Sequence, residues 1–300
     1  MLYDIIIIGG GPAGLNAAIY ACRAGLKVGI VEKDAPGGKM VKTEKIENYI
    51  GVPAVSGAEL GLKMFNQATS FGAEYLYGDV QKIEKEENFK VICDSDTYES
   101  KRIIVATGTS ERKLGRPGED KFYGRGISYC AVCDGALYKD QDMAVIGGGN
   151  SALQEALYLS RFAHKIYLIH RRDEFRGEEI LTKRIEKTPN IELVLNSVPL
   201  SINGKTKVSE IVVQNVLNKE QRILEVAVVF PFIGFDPATK FLPNEILDKQ
   251  GYIKVDKNYE TSIKGLYAAG DCIPKDLRQV ITAANDGAIA ATKVAQSLEK

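Results

Sequence analysis

Cys130-Ala131-Val132-Cys133 is the segment whose residue types and spacing most directly suggest chemistry. A C-x-x-C pair brings two sulfurs within disulfide reach and commonly lowers one thiol below its free pKa of about 8.5. Asp134 follows directly. A carboxylate there can take or deliver a proton as electrons arrive. The same spacing also serves as half of a zinc site, which needs four ligands. No second C-x-x-C exists, and the only histidines, His164 and His170, are not at ligand spacing from each other or from the pair. The other cysteines, Cys22, Cys93 and Cys272, are isolated and read as small core residues. An odd total of five argues against a structural disulfide framework.

Two glycine turns lie on either side of this pair in the sequence. Gly9-x-Gly11-x-x-Gly14 follows the β-branched run Asp4 to Ile8 and precedes a helical stretch, Leu15 to Ala24. The first glycine allows a tight turn, the second lets a pyrophosphate approach the backbone, and the third lets the helix pack close to the strand. The helix start then offers N–H donors and a partial positive charge. Glu32 ends the next strand, Lys27 to Glu32, where a carboxylate can accept both ribose hydroxyls. The second turn, Gly147-x-Gly149-x-x-Ala152, sits between the strand Met143 to Ile146 and a helix over Leu153 to Phe162. The strand Lys165 to Ile169 ends in His170-Arg171-Arg172, with Arg176 beyond. Guanidinium groups bind phosphate bidentately, so this turn favours NADPH over NADH. The bland alternative is a solvated basic loop in which Asp173, Glu174, Glu178 and Glu179 pair with the arginines.

These segments require elements to hold them. A chain of 300 residues suggests two domains at roughly 150 residues each. The two strand–turn–helix–strand units resemble each other and read as one architecture used twice. A helix over Gly57 to Phe71, short strands up to Lys101–Ala106, strand-rich sequence from Ile191 to Pro231 and a closing helix over Gln279 to Leu298 complete the pattern. Glycine/proline punctuation at Gly115-Arg116-Pro117-Gly118 and Gly234-Phe235-Asp236-Pro237 makes the second unit an insertion into the first. The expected fold is therefore α/β, with two Rossmann-like three-layer domains. The first would span 1–112 and 242–300, and the inserted one 113–241, with hinge segments near 112–117 and 241–244. A formal net charge of zero leaves no global field for nucleic acid. The apolar run at the N-terminus is too short to span a membrane and lacks a basic n-region, so a cytoplasmic location is expected.

Two glycine turns, the intervening Cys-Ala-Val-Cys-Asp-Gly and the His-Arg-Arg run together resemble the low-molecular-weight thioredoxin reductases over essentially the whole chain. Gly37-Gly38, Glu47-Asn48-Tyr49, Arg125 to Ser128, and Gly270-Asp271 followed by Arg278-Gln279 extend the match. The resemblance implies an FAD site containing Gly9, Gly11, Pro12, Ala13, Gly14, Glu32, Gly38, Lys39, Asn48, Val80, Thr107, Gly108, Asp271, Arg278, Gln279 and Val280. It implies an NADPH site containing Gly147, Gly149, Asn150, Ser151, Ala152, His170, Arg171, Arg172, Arg176, Ile233 and Gly234. Lys39 stands where the family usually has glutamine, and Pro237-Ala238-Thr239 where it usually has Pro-Asn-Thr.

Electrons would pass from NADPH through FAD to Cys133 and Cys130, with Asp134 handling the proton, and from Cys130 to thioredoxin. The family also implies a homodimer and a rotation that lets nicotinamide and disulfide reach the flavin in turn. Competing readings are a flavoprotein serving a peroxiredoxin or glutaredoxin-like partner, a ferredoxin-fed variant, and a non-catalytic nucleotide sensor. The intact second turn, the arginines, the cysteine pair and a chain that begins at the first strand all count against them.

Overall fold

A computed structural model describes residues 1–43 and 46–299. In chain order the elements are β1 (Leu2–Ile8), α1 (Pro12–Arg23), β2 (Val28–Glu32), α2 (Gly57–Ser70), β3 (Glu74–Tyr77), β4 (Val80–Lys85), β5 (Phe89–Cys93), β6 (Thr97–Val105) and β7 (Thr109–Glu111). There follow α3 (Ala131–Asp134), β8 (Asp142–Ile146), α4 (Asn150–Leu159), β9 (Lys165–Ile169), α5 (Glu179–Glu186), β10 (Ile191–Val194), β11 (Ser197–Gly204), β12 (Val208–Asn215), β13 (Gln221–Glu225) and β14 (Val228–Pro231). β15 (Phe235–Pro237), β16 (Leu266–Ala268) and α6 (Val280–Leu298) close the chain. Two compact units result: unit 1, Met1–Ser110 with Asp236–Lys300, and unit 2, Glu111–Phe235, inserted into it.

Unit 1 is built on the sheet β3-β2-β1-β6-β5-β4, with β16 also paired to β6. Strands β3, β2, β1, β6 and β16 run parallel. The run Ile5 to Ile8 is buried on both faces, as a central parallel strand requires. Ile5 and Ile7 face a core shared with α1 and α6, whereas Ile6 and Ile8 face a second core shared with β5 and the 242–273 region. α1 starts at Pro12, earlier than the sequence pattern suggests, because proline at the first helical position needs no hydrogen-bonding N–H. Its approach to the turn leaves no room for a side chain at Gly14, where a Cβ would lie 1.8 Å from Gly9 O. α6 reaches α1 through small residues in the same way, with a Cβ on Gly287 lying 2.0 Å from Ala13 O.

One buried polar knot ties α6 to the turn after β16. The Asp286 carboxylate is buried and accepts from Tyr259 OH at 3.0 Å and Gly270 N–H at 3.1 Å. It also accepts a short bond from Lys275 Nζ.

Unit 2 has three layers. The parallel sheet β10-β9-β8-β14 carries α4 and α5 on one face and the antiparallel meander β11-β12-β13 on the other. Phe230, Met143, Val145, Ile166 and Leu168 form the helix-side core. Ala144, Ile146, Ile169 and Val229 meet Ile202, Ile211 and Leu224 of the meander. α5 has no counterpart in the sequence reading, because eight residues with a stripe of Leu181 and Ile185 give a weak periodic signal.

The two chain crossings, β7 and β15, pair with each other. The second crossing comes at Phe235/Asp236, ahead of the expected boundary at 241/242. The reason is local bonding. Ala238 N–H donates to Gly108 O at 3.1 Å, Thr239 Oγ1 donates to Gly251 O at 2.7 Å, and Leu242 lies in the unit 1 core. The 241–244 segment is therefore part of unit 1 and not a linker.

Asp286→Asn keeps one acceptor oxygen, which can still take Gly270 N–H while the amide NH2 donates to the Tyr259 hydroxyl, but it leaves the Lys275 ammonium uncompensated. It is expected to cost about 3 kcal/mol, and adding Lys275→Met should restore most of that loss. Urea unfolding of the single and double variants measures both; a double variant no more stable than the single would refute the account.

Candidate active site

The Cys130–Cys133 pair is joined as a disulfide, with the two Cα atoms 5.3 Å apart. Sulfurs engaged in that bond are not thiolate metal ligands, so the redox reading fits what the structure contains. Cys130 is the N-cap of the single-turn helix α3, and Cys133 N–H donates to Cys130 Sγ at 3.2 Å. A donor aimed at this sulfur favours its anionic form once the disulfide opens. Asp134 ends the turn, and its Oδ2 accepts from Ser128 Oγ at 2.6 Å. The same serine oxygen accepts Cys130 N–H at 3.1 Å. Ser128 N–H in turn donates to Val229 O, which fixes the segment to β14.

A second carboxylate anchors the residue just before the pair. Glu119, only 3% exposed, accepts from Tyr129 OH at 2.5 Å, Leu114 N–H at 2.7 Å and Gly115 N–H at 2.8 Å. Burial, and then the bond to Glu119, push the Tyr129 phenol far above its usual range. Ser128 and Glu119 have roles the sequence reading did not assign. The placement of Cys130 two residues and Asp134 six residues after Ser128 is the one local signal, whereas nothing local marks Glu119, whose partners meet it through the fold.

The second glycine turn joins β8 to α4. The N-terminus of α4 has no side-chain cap, and a Cβ on Gly149 would meet nothing within 4 Å. That combination of free N–H donors and open space suits a pyrophosphate. By contrast, α2 is capped by Ser56, which accepts Glu59 N–H, and α6 by a capping box of Gln279 and Thr282. Arg171, Arg172 and Arg176 are exposed. Among the described residues none of them forms an ion pair with Asp173, Glu174, Glu178 or Glu179. Glu178 instead exchanges hydrogen bonds with Asn150, and Glu179 pairs with Lys183. His170 differs from the arginines beside it. It is buried, stacks on Phe175, and its ring occupies the place a Cβ on Gly148 would need. Among the described residues its Nε2 has no partner. Burial, reinforced by the three arginine charges, lowers its pKa and keeps the ring neutral near pH 7. Ser151 and Ala152 lie in the first turn of α4. Ile233 and Gly234 follow β14, where Gly234 O accepts Arg112 N–H at 3.0 Å.

In unit 1 the first turn likewise opens onto a helix without a side-chain cap, and Gly11 faces open space up to Gly38. Gly37 N–H donates to Gly10 O at 2.7 Å, which lays the 37–39 segment along the turn. Glu32 Oε2 accepts Gly10 N–H at 2.7 Å, while its Oε1 accepts the N–H groups of Lys33 and Asp34. A carboxylate offers about four acceptor sites, so roughly one is left for a ribose hydroxyl rather than two. Asp271 lies in the short turn after β16; its Oδ1 is buried without a partner and its Oδ2 is 3.7 Å from Lys39 Nζ. An orphaned buried acceptor is costly unless a ligand hydroxyl reaches it. Lys39 Nζ also donates to Thr109 Oγ1 at 2.8 Å. Asn48 Nδ2 donates to Gln279 Oε1 at 3.1 Å, Val280 packs against the apolar cluster of Met40, Ile46, Val55 and Leu60, and the Arg278 guanidinium lies over Tyr252. Thr107 and Gly108 follow β6, bonded to Ala238. Val80 opens β4 two residues after Gly78, whose N–H donates to Glu32 O. The residues present therefore fit a dinucleotide in each unit.

A family model described as pyridine nucleotide-disulphide oxidoreductase matches residues 3–287. The chain belongs to this family of oxidoreductases. Within it the chain falls among the low-molecular-weight thioredoxin reductases. It is 46% identical to the thioredoxin reductase of Mycoplasma pneumoniae over 294 residues, covering 97% of this chain and 93% of the relative. Identity to the thioredoxin reductase of Listeria innocua is 42% over 302 residues, covering 100% of this chain and 95% of the relative. The solved thioredoxin reductase of Streptococcus pyogenes is 44% identical, with a TM-score of 0.94 over 99% of this chain and 98% of that one.

The three remaining cysteines are free. Burial raises all of their pKa values, pushing Cys93 up to about 11 and Cys272 up to about 12. A thiol whose pKa lies well above the pH stays protonated and is a poor nucleophile. After reduction, iodoacetamide at about pH 8 should label the Cys130/Cys133 pair at least about 100-fold faster than Cys93 or Cys272. Peptide mass spectrometry reads this directly, and equal labelling of Cys272 in the folded protein would contradict it.

Proposed function

We propose that this chain is an NADPH-dependent thioredoxin-disulfide reductase, holding FAD in unit 1 and NADPH in unit 2. One observation carries the reading: the disulfide, with its carboxylate and serine, belongs to the same unit as a glycine turn flanked by unpaired arginines. The full-length likeness to thioredoxin reductases supports thioredoxin as the protein substrate. Arg171, Arg172 and Arg176 would bind a 2′-phosphate, and the N–H groups opening α4 the pyrophosphate. In unit 1, Glu32 and the orphaned Asp271 oxygen would take hydroxyl groups, while the α1 N-terminus takes the second pyrophosphate. FAD supplies a two-electron relay between hydride and disulfide chemistry.

The chain's own part of the reaction follows from the geometry of the pair. On accepting two electrons and one proton, the S–S bond opens to a Cys130 thiolate and a Cys133 thiol. Asp134 delivers that proton, and the Cys133 N–H supports the charge on Cys130. Cys130 then attacks a disulfide of the partner, forming a mixed disulfide and releasing one partner thiolate. Cys133 returns its proton to Asp134, attacks Cys130, re-forms the internal disulfide and frees the second partner thiolate. Both the nucleotide turn and the disulfide belong to unit 2, whereas FAD is assigned to unit 1. We infer that unit 2 turns about β7 and β15, so that each group has access to the flavin in its own step.

NADPH oxidation coupled to thioredoxin, with NADH and glutaredoxin as comparison arms, tests the reading; turnover with neither thioredoxin nor NADPH would overturn it. Arg171→Ala with Arg172→Ala should raise KM for NADPH by roughly ten-fold per arginine and leave KM for NADH nearly unchanged.

The order of attack is tested separately. Cys133→Ser should accumulate a mixed disulfide between Cys130 and thioredoxin, and Cys130→Ser should not. Gel mobility under non-reducing conditions distinguishes them, and the reverse pattern would reassign the nucleophile.

A further inference from the structure

Ser128 makes more contacts at the redox centre than a spacer needs. Its backbone is pinned by the bond from its N–H to Val229 O at 3.1 Å, and its side chain is buried. Its hydroxyl oxygen lies 2.6 Å from Asp134 Oδ2, accepts Cys130 N–H at 3.1 Å, and stands 3.4 Å from Cys130 O. A hydroxyl has one donor and two acceptor sites. With Asp134 ionised, Ser128 donates to Oδ2 and accepts from Cys130 N–H. With Asp134 protonated, Ser128 accepts both the carboxyl O–H and Cys130 N–H, and its own hydrogen turns to Cys130 O. Asp134 Oδ2 is thus satisfied in each protonation state by rotation of one hydroxyl hydrogen, with no heavy atom displaced. A half-buried carboxyl whose partner could only donate or only accept would lose that hydrogen bond each time its proton left or returned.

We propose that Ser128 is a positioning residue for proton transfer at the disulfide, its hydroxyl turning between Asp134 and the Cys130 carbonyl as Asp134 gains and loses its proton. This rests on Asp134 being the proton donor in the function proposed above. An incoming thiolate attacks Cys130 Sγ and the S–S bond breaks. The electron pair goes to Cys133, which takes the proton from Asp134. The serine hydrogen changes acceptor but is not consumed.

The test uses the flavin-loaded protein and dithiothreitol as the reductant, so that neither NADPH nor thioredoxin enters. Thiols released are trapped with iodoacetamide and counted by mass from about pH 6 to about pH 9, with rates expressed per dithiothreitol thiolate. In the wild type these rates should fall as pH rises through the proton-donor limb. Ser128→Ala removes a charge-assisted bond from the carboxylate and a weaker one from the acid. The limb should therefore move to higher pH, by about five-fold in proton concentration. Ser128→Thr keeps the hydroxyl and should return the limb to its wild-type position. Coincident limbs for wild type and Ser128→Ala, or a Ser128→Thr limb displaced as far as that of Ser128→Ala, would overturn the proposal. Asp134→Asn should abolish the limb. A limb that survives in Asp134→Asn would instead overturn the assignment of Asp134 as donor, and this inference with it.

Discussion

A Cβ on Gly14 would lie 1.8 Å from Gly9 O, and that contact sets how near α1 stands to the end of β1. Because the helix sits so close, its first N–H groups converge on the space beside Gly11 rather than being covered by a side chain. The second turn reaches the same end with alanine at the third position. Ala152 is buried at the turn, and its Cβ occupies the space a side chain on Gly147 would need. Both units therefore leave positive helix ends exposed at the carboxyl ends of parallel strands, which is where open α/β sheets bind ligands.

What differs between the turns is the charge arranged around them. Beyond the first lie carboxylates: Glu32, largely satisfied by backbone N–H groups, and Asp271, with one buried oxygen left over. Beyond the second lie three exposed guanidinium groups around a neutral, buried His170. Hydroxyl groups suit the first environment and an additional phosphate the second. Two of the four acids that could have neutralised the arginines are drawn off elsewhere, Glu178 to Asn150 and Glu179 to Lys183.

The disulfide gains its setting from a chain of polar contacts within unit 2. Glu119 holds Tyr129 and the backbone of Leu114 and Gly115; Ser128 holds Asp134 and the backbone of Cys130. A reactive pair on a single helical turn has little helix of its own to hold it, so its geometry depends on these neighbours. Unit 1 uses the same device at Asp286, where one buried carboxylate fixes Gly270 beside Asp271.

Much of this was legible in the order of residues. The β-branched run of β1 and the two glycine turns are local patterns to which sterics and periodicity give one structural meaning each, whereas the cysteine pair and the His-Arg-Arg segment each kept a second reading. The insertion of one unit into the other also follows from repeated turns separated by glycine and proline. Other features were not legible, because their partners are distant in the chain or their chemistry depends on burial. The second crossing fell at Phe235 rather than at 241, through bonds from Ala238 and Thr239 to residues elsewhere in unit 1. Nothing local in the His-Arg-Arg run separates His170 from its neighbours, yet burial lowers its pKa while the arginines stay exposed. Glu119 and Asp286 carried no motif, and each became a buried acceptor only when three donors met it in space. Sequence alone determined which groups could do chemistry, since that is a matter of residue type and near spacing. Tertiary structure decided which of them are charged, which are satisfied and which remain open to a ligand, since desolvation and hydrogen bonding are set by neighbours far along the chain.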